Sequence, residues 1–308
     1  MPSRTQHKLV INGQSVRLTN LAKPLFPSGF AKGQVIDYYI RVAGYLLPHI
    51  ERRPITLKRY PNGMGGKHFY EKHAPSYTPD WVHTFDVPRR EGGVIHYVVL
   101  DDLPSLVWAA NTANLEIHPF LHRVPEIERP TAMVFDLDPG EGADLLSCAK
   151  VAFLVQAALA ASGLESWPKV SGSKGMQIYA PLNTAVTYAE TRPYARQLAE
   201  RLEAEHPELV ISSMAKVKRA GKVFIDWSQN SDFKTTVAVY SLRARRAEPY
   251  VSMPVEWDEL RRALRHESTA ALQFAPDAAL KRLAETGDLF APVLDKRQSL
   301  AALTQSDV

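Results

Sequence analysis

Thr131-Ala132-Met133-Val134-Phe135-Asp136-Leu137-Asp138-Pro139-Gly140 is an apolar run that ends in two carboxylates and a breaker pair. Met133, Val134 and Phe135 stand too close to Pro139-Gly140 for a helix, so the spacing predicts a short buried strand ending in a turn. Strand side chains alternate, which puts Asp136 and Asp138 on one face, roughly 7 Å apart. Two like charges at a buried strand end repel each other and lose hydration, unless a cation lies between them or one takes a proton. A metal or acid/base site is one reading of the pair. An aspartate that merely caps the Pro-Gly turn is the other reading for Asp138.

The chain has 308 residues, 45% hydrophobic and 23% charged, a composition that builds a sizeable core. At this length two lobes are expected rather than one. No run approaches 18 apolar residues, and Met1-Pro2-Ser3-Arg4-Thr5 opens without the apolar stretch of a signal peptide, so a cytoplasmic protein without membrane association is expected. The single cysteine, Cys148, excludes an internal disulfide framework and a cysteine-rich zinc site, and it reads as core. Lysine plus arginine exceed aspartate plus glutamate by only 37 to 33, so the distribution matters more than the sum. Basic residues gather at Arg52, Arg53, Lys58 and Arg59, at Lys216, Lys218, Arg219 and Lys222, and at Arg243, Arg245 and Arg246. Any one cluster reads as solvated surface; three beside strands and turns suggest a footprint for phosphates.

Residues 8–19 read as a hairpin around Asn12-Gly13, followed by a proline-broken loop over 20–27 and an amphipathic helix over 32–50. Strands are expected over 54–60 and 94–100, with a helix over 103–113. Between them lies Lys67-His68-Phe69-Tyr70-Glu71-Lys72-His73, where adjacent aromatics face opposite ways, so that one is core and the other can stack on a base or sugar. His118 reads equally as structural or functional. A helix is expected over 144–162, capped by Asp144, and another over 191–206. Val170-Ser171-Gly172-Ser173-Lys174-Gly175 leads into a strand over 176–180 and forms a small anion cradle, without the spacing of a Walker A loop. Residues 222–227 form a second apolar strand that carries a third acid, Asp226. Residues 237–245 read as a strand with Arg243 and Arg245 on one face, 256–289 as helical, and 298–308 as a loose tail.

Three carboxylates on strands, a glycine-serine-lysine loop and same-face arginines suggest phosphoryl transfer with two divalent metals roughly 3.5–4 Å apart. Oxygen-only ligands suit magnesium or manganese.

The runs Phe135-Asp136-Leu137-Asp138-Pro139-Gly140, Ser171-Gly172-Ser173-Lys174-Gly175 and Arg219-Ala220-Gly221-Lys222-Val223-Phe224-Ile225-Asp226-Trp227-Ser228-Gln229-Asn230 together closely resemble the polymerase domain of bacterial ligase D, a member of the archaeo-eukaryotic primase superfamily. The resemblance extends from about Leu18 to Pro292 and takes in Arg53-Pro54, Tyr60-Pro61-Asn62-Gly63 and Phe69-Tyr70-Glu71-Lys72-His73-Ala74-Pro75. It implies an α+β fold of the primase-polymerase type. An RRM-like antiparallel catalytic sheet flanked by helices is expected over 131–292, a second mixed α/β lobe over 1–130, and a tail over 293–308. It also implies a polymerase that extends primers, fills short gaps and adds nucleotides at DNA ends in non-homologous end joining, with ribonucleotides and manganese preferred.

By the same resemblance Asp136, Asp138 and Asp226 match the metal-binding, catalytic acids. Ser171, Lys174, His118 and Arg243 match triphosphate contacts, with Arg245 beside them. Phe69 matches the aromatic that stacks on the incoming base, with Tyr70 adjacent, and Lys58 and Arg219 match other basic positions. Asn20, Lys23 and Lys32 match the grip on the 5′-phosphate of the downstream strand. Gln177 departs from the pattern, since relatives carry histidine there; glutamine can donate a hydrogen bond but cannot carry charge. The implied partners are DNA with gaps or ends, a nucleoside triphosphate, Ku and an ATP-dependent ligase, in a cytoplasmic, nucleoid-associated setting. No ligase or nuclease motif is present, so a stand-alone polymerase and one domain of a longer protein are both open. The weighed alternatives are a DNA-end-binding scaffold with weak or lost catalysis and an Asp-x-Asp phosphatase.

Overall fold

A computed structural model describes residues 6–89 and 91–300. The first five residues, and the part of the expected tail beyond 300, lie outside the described residues. Contacts divide the chain into two units. One takes the chain up to Val124 together with Thr235–Ser252 and Phe274–Gly287; the other takes Pro125–Lys234, Met253–Gln273 and the chain from Asp288 on. A single boundary near residue 130 was the sequence expectation. The division is discontinuous because the chain crosses back into the first unit at Thr235 and again at Phe274.

In the first unit, β1 (Gln6–Ile11) and β2 (Gln14–Thr19) form the expected hairpin, with Asn12 and Gly13 both at positive φ. Helix α1 (Lys32–Ile50) buries Val35, Ile36, Tyr39, Val42, Ala43 and Leu46 as one stripe. Its Tyr38 and Tyr39 hydroxyls each donate, at 2.7 Å, to the carbonyls of Tyr240 and Leu115. The sheet is built on β3 (Pro54–Arg59), which pairs with β4 (Phe69–Glu71), with β6 (Val94–Val99) and, from Ile55 to Arg59, with β7 (Asn114–Pro119). Strand β5 (Thr84–Pro88) extends it beyond β6, and helix α2 (Leu103–Asn111) packs on α1.

The second unit holds a six-stranded sheet. In chain order its strands are β8 (Ala132–Pro139), β9 (Trp167–Val170), β10 (Met176–Pro181), β11 (Val210–Ile211) and β12 (Val223–Asp226), joined later by a short strand at Met253–Pro254. Across the sheet the order is β11, β12, β8, β10, β9 and the Met253–Pro254 strand, antiparallel except for β11 with β12. Helix α3 (Leu145–Ala161), capped by Asp144 accepting from the Ser147 N–H at 2.8 Å, packs on β8 and β10. Helix α4 (Tyr188–Glu205) starts three residues before the expected 191, because Glu190 folds back onto the Thr187 N–H at 2.8 Å as a capping box.

Residues 237–245 do not form the expected strand. Only Leu242–Arg243 pairs, with Tyr250–Val251, and Tyr240 takes a φ of 64° that turns the chain. The run is apolar because Val237 to Tyr240 are buried along β7, where the Ala238 N–H donates to the Ile117 carbonyl at 2.9 Å. Residues 256–289 split into helices at Trp257–Arg265 and Pro276–Thr286. Gln298 is not loose: its N–H donates to Leu182 and its side chain to Pro181 and Glu165. Among the described residues no helix is long and apolar enough to cross a membrane.

Candidate functional site

Strand register builds the acid face of the second unit. Asp226 on β12 and Gln177 on β10 both pair directly with Asp136 on β8, and Phe224 pairs with Asp138. Directly opposed strand residues have Cβ atoms about 4.5–5.5 Å apart, so the three acids and Gln177 share one face. The alternate residues Phe135 and Leu137 are fully buried, and α3 packs against this strand. Two glycines make the close approaches. A Cβ on Gly140 would lie 1.7 Å from the Arg219 carbonyl oxygen, and one on Gly175 would lie 2.1 Å from that of Leu137. The Pro-Gly turn of the opening stretch is thus a backbone contact as well as a chain reversal.

The motif around Asp226 has a local physical reason. Its Oδ1 accepts from the Ser228 N–H at 3.0 Å and the Ser228 hydroxyl at 2.5 Å, and its Oδ2 from the Gln229 amide at 3.0 Å. Asn230, fully buried, accepts from the Val134 N–H at 2.9 Å and donates to the Val134 carbonyl at 2.8 Å. Its side chain thereby continues the ladder one step beyond the end of β12 and holds the turn in place.

Burial, then Asp138, then Asp226 push the Asp136 carboxyl up to about 7, partly offset by a hydrogen bond from Gln177 and by the charge of Lys169. This is the like-charge conflict anticipated for the opening strand. Among the described residues no three His, Cys, Asp or Glu side chains converge closely enough to hold one ion. In donor chemistry the residues fit a hard divalent cation, since all three are carboxylates and the central one carries an unmet demand for positive charge.

Beside these acids lies the Ser171 to Gly175 loop, closed by the Ser171 N–H donating to the Gly175 carbonyl at 2.9 Å. Ser171 is buried, while Lys174 is exposed and, among the described residues, engaged in no ion pair. Arg219 stacks over the Phe224 ring at 3.6 Å and donates to the Met214 carbonyl at 2.8 Å.

The first unit carries its own cluster, centred on Glu116 of β7. That side chain is fully buried; Oε1 accepts from Lys58 Nζ at 2.9 Å and the Ala244 N–H at 3.1 Å, and Oε2 lies 3.0 Å from His118 Nε2 and 3.2 Å from Arg243 Nε. Burial alone would raise the Glu116 carboxyl, but the His118 hydrogen bond and the charges of Arg243 and Lys58 outweigh it and hold it far below the carboxylate range. Burial lowers His118 despite Glu116, so its imidazole is neutral at pH 7. Tyr70 joins the cluster, with Lys58 Nζ 5.3 Å from its ring and the His118 ring 6.0 Å away. Phe69 and Tyr70 were expected to split between core and surface; both are about half exposed, because β4 borders only β3.

Lys23 and Lys32 are also brought together. The Lys32 N–H donates to the Lys23 carbonyl at 2.8 Å, and Asn20, at φ 55°, starts the turn that places them. Burial first, and the Lys23 charge second, lower the Lys32 ammonium to about 8. By contrast, the cluster at 52–59 is spent internally. Arg53 donates to the carbonyls of His49, Phe120 and Leu121, Arg52 to that of Val124, and Arg59 pairs with Glu71 at 2.6 Å. Arg245, beyond the short strand, is exposed, so it does not share a strand face with Arg243. Glu116 and Lys169 went unnoticed in the sequence, although Lys169 is a charged residue in an otherwise apolar strand and Glu116 stands between Leu115 and Ile117.

An α+β fold whose sheet aligns three carboxylates beside a glycine-serine-lysine loop offers the donor set of a hard divalent cation. Residues 31–290 match the family described as LigD, primase-polymerase domain. The multifunctional non-homologous end joining protein LigD of Mycolicibacterium smegmatis is 41% identical over 91% of this chain and 36% of its own length. The bifunctional LigD of Bacillus subtilis is 34% identical over 88% of this chain and 43% of its own. A solved structure, the polymerase domain from Mycobacterium tuberculosis ligase D in complex with DNA, matches with a TM-score of 0.84 and 41% identity, covering 92% of this chain and 99% of that one. The chain belongs to the LigD primase-polymerase family and has its α+β primase-polymerase fold. It spans less than half the length of these curated relatives.

Proposed function

We propose that the chain is a primer- and template-dependent nucleotidyltransferase that adds ribo- or deoxynucleotides at DNA ends and short gaps during double-strand break repair. The observation that carries this is the pairing of Asp136 with Asp226 and Gln177, with a carboxyl at its centre that demands a cation. Asp136, Asp138 and Asp226 are the residues that would hold two manganese or magnesium ions. Bound there, the ions would ease ionisation of the attacking 3′-hydroxyl and offset charge on the departing pyrophosphate.

The chain's own residues bind and orient. Ser171, the loop N–H groups and Lys174 receive triphosphate oxygens, Lys174 being exposed and able to reach them. Arg243 and His118 are assigned to triphosphate contacts, with Arg245 beside them. Glu116 holds the guanidinium and the imidazole in fixed rotamers, so little order remains to be gained on binding. Phe69 stacks on the incoming base, with Tyr70 and Lys58 behind it, and Arg219 adds positive charge beside the acids. Asn20, Lys23 and Lys32 grip a 5′-phosphate, where an anion relieves the repulsion between the two ammonium groups. Ku and an ATP-dependent ligase are the proposed partners in a nucleoid-associated setting.

The test is incorporation of labelled ATP and dATP into a templated gap, with manganese and magnesium in turn, for the intact chain and for Asp138→Ala. Extension by the native chain, lost in the variant while gap binding persists, is the expected result. Gap binding by both with extension by neither would replace the polymerase with an end-binding scaffold.

A further inference from the structure

Away from the acids, the second unit opens a cavity of about 630 Å³ that the chemistry above does not use. Leu164, Trp167, Trp257 and Leu289 form its apolar wall, and Glu165 and Glu256 are its acidic groups. Among the described residues no lysine, arginine or histidine lines it. Trp257 is pinned: its Nε1 donates to the Ser166 carbonyl at 3.0 Å, and its ring packs on Phe153 with centroids 5.3 Å apart, so the indole keeps one orientation on the wall. Glu165 is engaged by Lys296, whose Nζ also lies 5.6 Å from the centroid of the Trp167 ring. The rim thus already shows, within the chain, a lysine ammonium held by a carboxylate and an indole. Glu256 is exposed and makes no ion pair among the described residues. The N-terminus of the helix Trp257–Arg265 would attract an anion, but it carries Glu256, Asp258 and Glu259, which oppose one.

We propose that this cavity is a docking site for a short basic segment of a partner polypeptide. One lysine or arginine of the segment lies against Trp257 with its charge at Glu256, and an apolar neighbour covers Leu164 and Leu289. Charge complementarity selects this occupant. The phosphates of a nucleic acid would meet acidic side chains and no lining cation, so the affinity that DNA draws from basic contacts is missing here. A wholly apolar ligand would take water from Glu256 and return no partner. A free amine would fill little of a volume that suits a drug-sized ligand, whereas a segment of a few residues fills it. The site also stands apart from nucleotide chemistry. Strand β9 starts at the cavity with Trp167, and the Ser171 to Gly175 loop follows its last residue, Val170, roughly 10 Å further along the strand.

The test is a random heptapeptide display library panned on the intact chain and counter-selected on Glu256→Arg, an exposed position where the fold is not at stake. The enriched sequences should carry a lysine or arginine beside a large apolar residue. The leading peptide, synthesised with blocked ends, is then titrated by intrinsic tryptophan fluorescence, which Trp167 and Trp257 report directly. Its affinity should fall about threefold in Glu256→Gln and at least about tenfold in Glu256→Arg, and about tenfold in Trp257→Ala. If Trp257→Ala does not fold, Trp257→Phe, which keeps a ring against Phe153, should show a smaller loss. Gap filling by the glutamate variants should stay at the native level. Enrichment of no sequence, or of acidic or uncharged ones, overturns the proposal, as does a leading peptide that binds Glu256→Arg as tightly as the native chain. Displacement of the peptide by a gapped duplex would make the cavity a nucleic-acid surface, and n-butylammonium binding as tightly as the peptide would make it a small-amine site; either result refutes polypeptide docking.

Discussion

Replacing Glu116 by glutamine keeps the shape of the side chain and removes one charge from the centre of its partners Lys58, Tyr60, His118, Arg243 and the Ala244 N–H. Lys58 is 2% exposed and bonded to Oε1 at 2.9 Å, and Arg243 lies 3.2 Å from Oε2. With the carboxylate gone, both cations lose the charge that offsets their burial, and the new amide presents N–H groups to one of them. Removing one partner of a buried ion pair costs about 3–5 kcal/mol, because the other is left desolvated and unpaired. Glu116→Gln should therefore lose about that much stability at pH 7, read as the shift in urea midpoint at constant slope. The pH dependence adds a second reading. Glu116 titrates far below its unfolded value of about 4.3, so its contribution is fully present above that pH and fades as pH falls through its folded titration. The difference between native and variant should thus narrow below about pH 4. Nucleotide KM should rise more than kcat falls, since Arg243 and His118 lose their fixed orientation. A variant within about 1 kcal/mol of the native chain at pH 7 would refute the account of the cluster.

Three further outcomes follow from the same geometry. Asp136 has a raised carboxyl, so its ionisation opposes folding: without divalent ions Tm should fall as pH rises through about 7, and manganese or Asp136→Asn should flatten that fall. Lys32 must be protonated to grip a phosphate, so affinity for a 5′-phosphorylated gap should weaken above about pH 8, whereas a 5′-hydroxyl gap should not show that limb and Lys32→Met should abolish it. Gly175→Ala drives a methyl to 2.1 Å from the Leu137 carbonyl, a backbone atom that cannot rotate away; a loss of at least about 1–3 kcal/mol in thermal unfolding is expected, and an unchanged Tm would sink the close-approach argument.

Local chemistry made much of this protein legible in one dimension. The strand at 132–139, the hairpin at Asn12-Gly13, the helix capped by Asp144 and the anion loop at 171–175 are each decided by residues within a few positions of one another. So was the prediction that Asp136 and Asp138 carry an unresolved conflict of charge, because side-chain alternation is a property of the strand itself. What lay beyond the sequence was which strands become neighbours. Register across β12, β8, β10 and β9 set Asp226 and Gln177 on either side of Asp136 and brought Lys169 into the row. The return of residues 235–252 to the first unit turned an expected strand into a buried segment along β7, and placed Arg243 and the Ala244 N–H on Glu116, more than a hundred positions away. An apolar run announces that it is buried but not against what. A charged residue within one gives no sign of the partner that compensates it, because burial and pairing are set by contacts that close only when the sheet does.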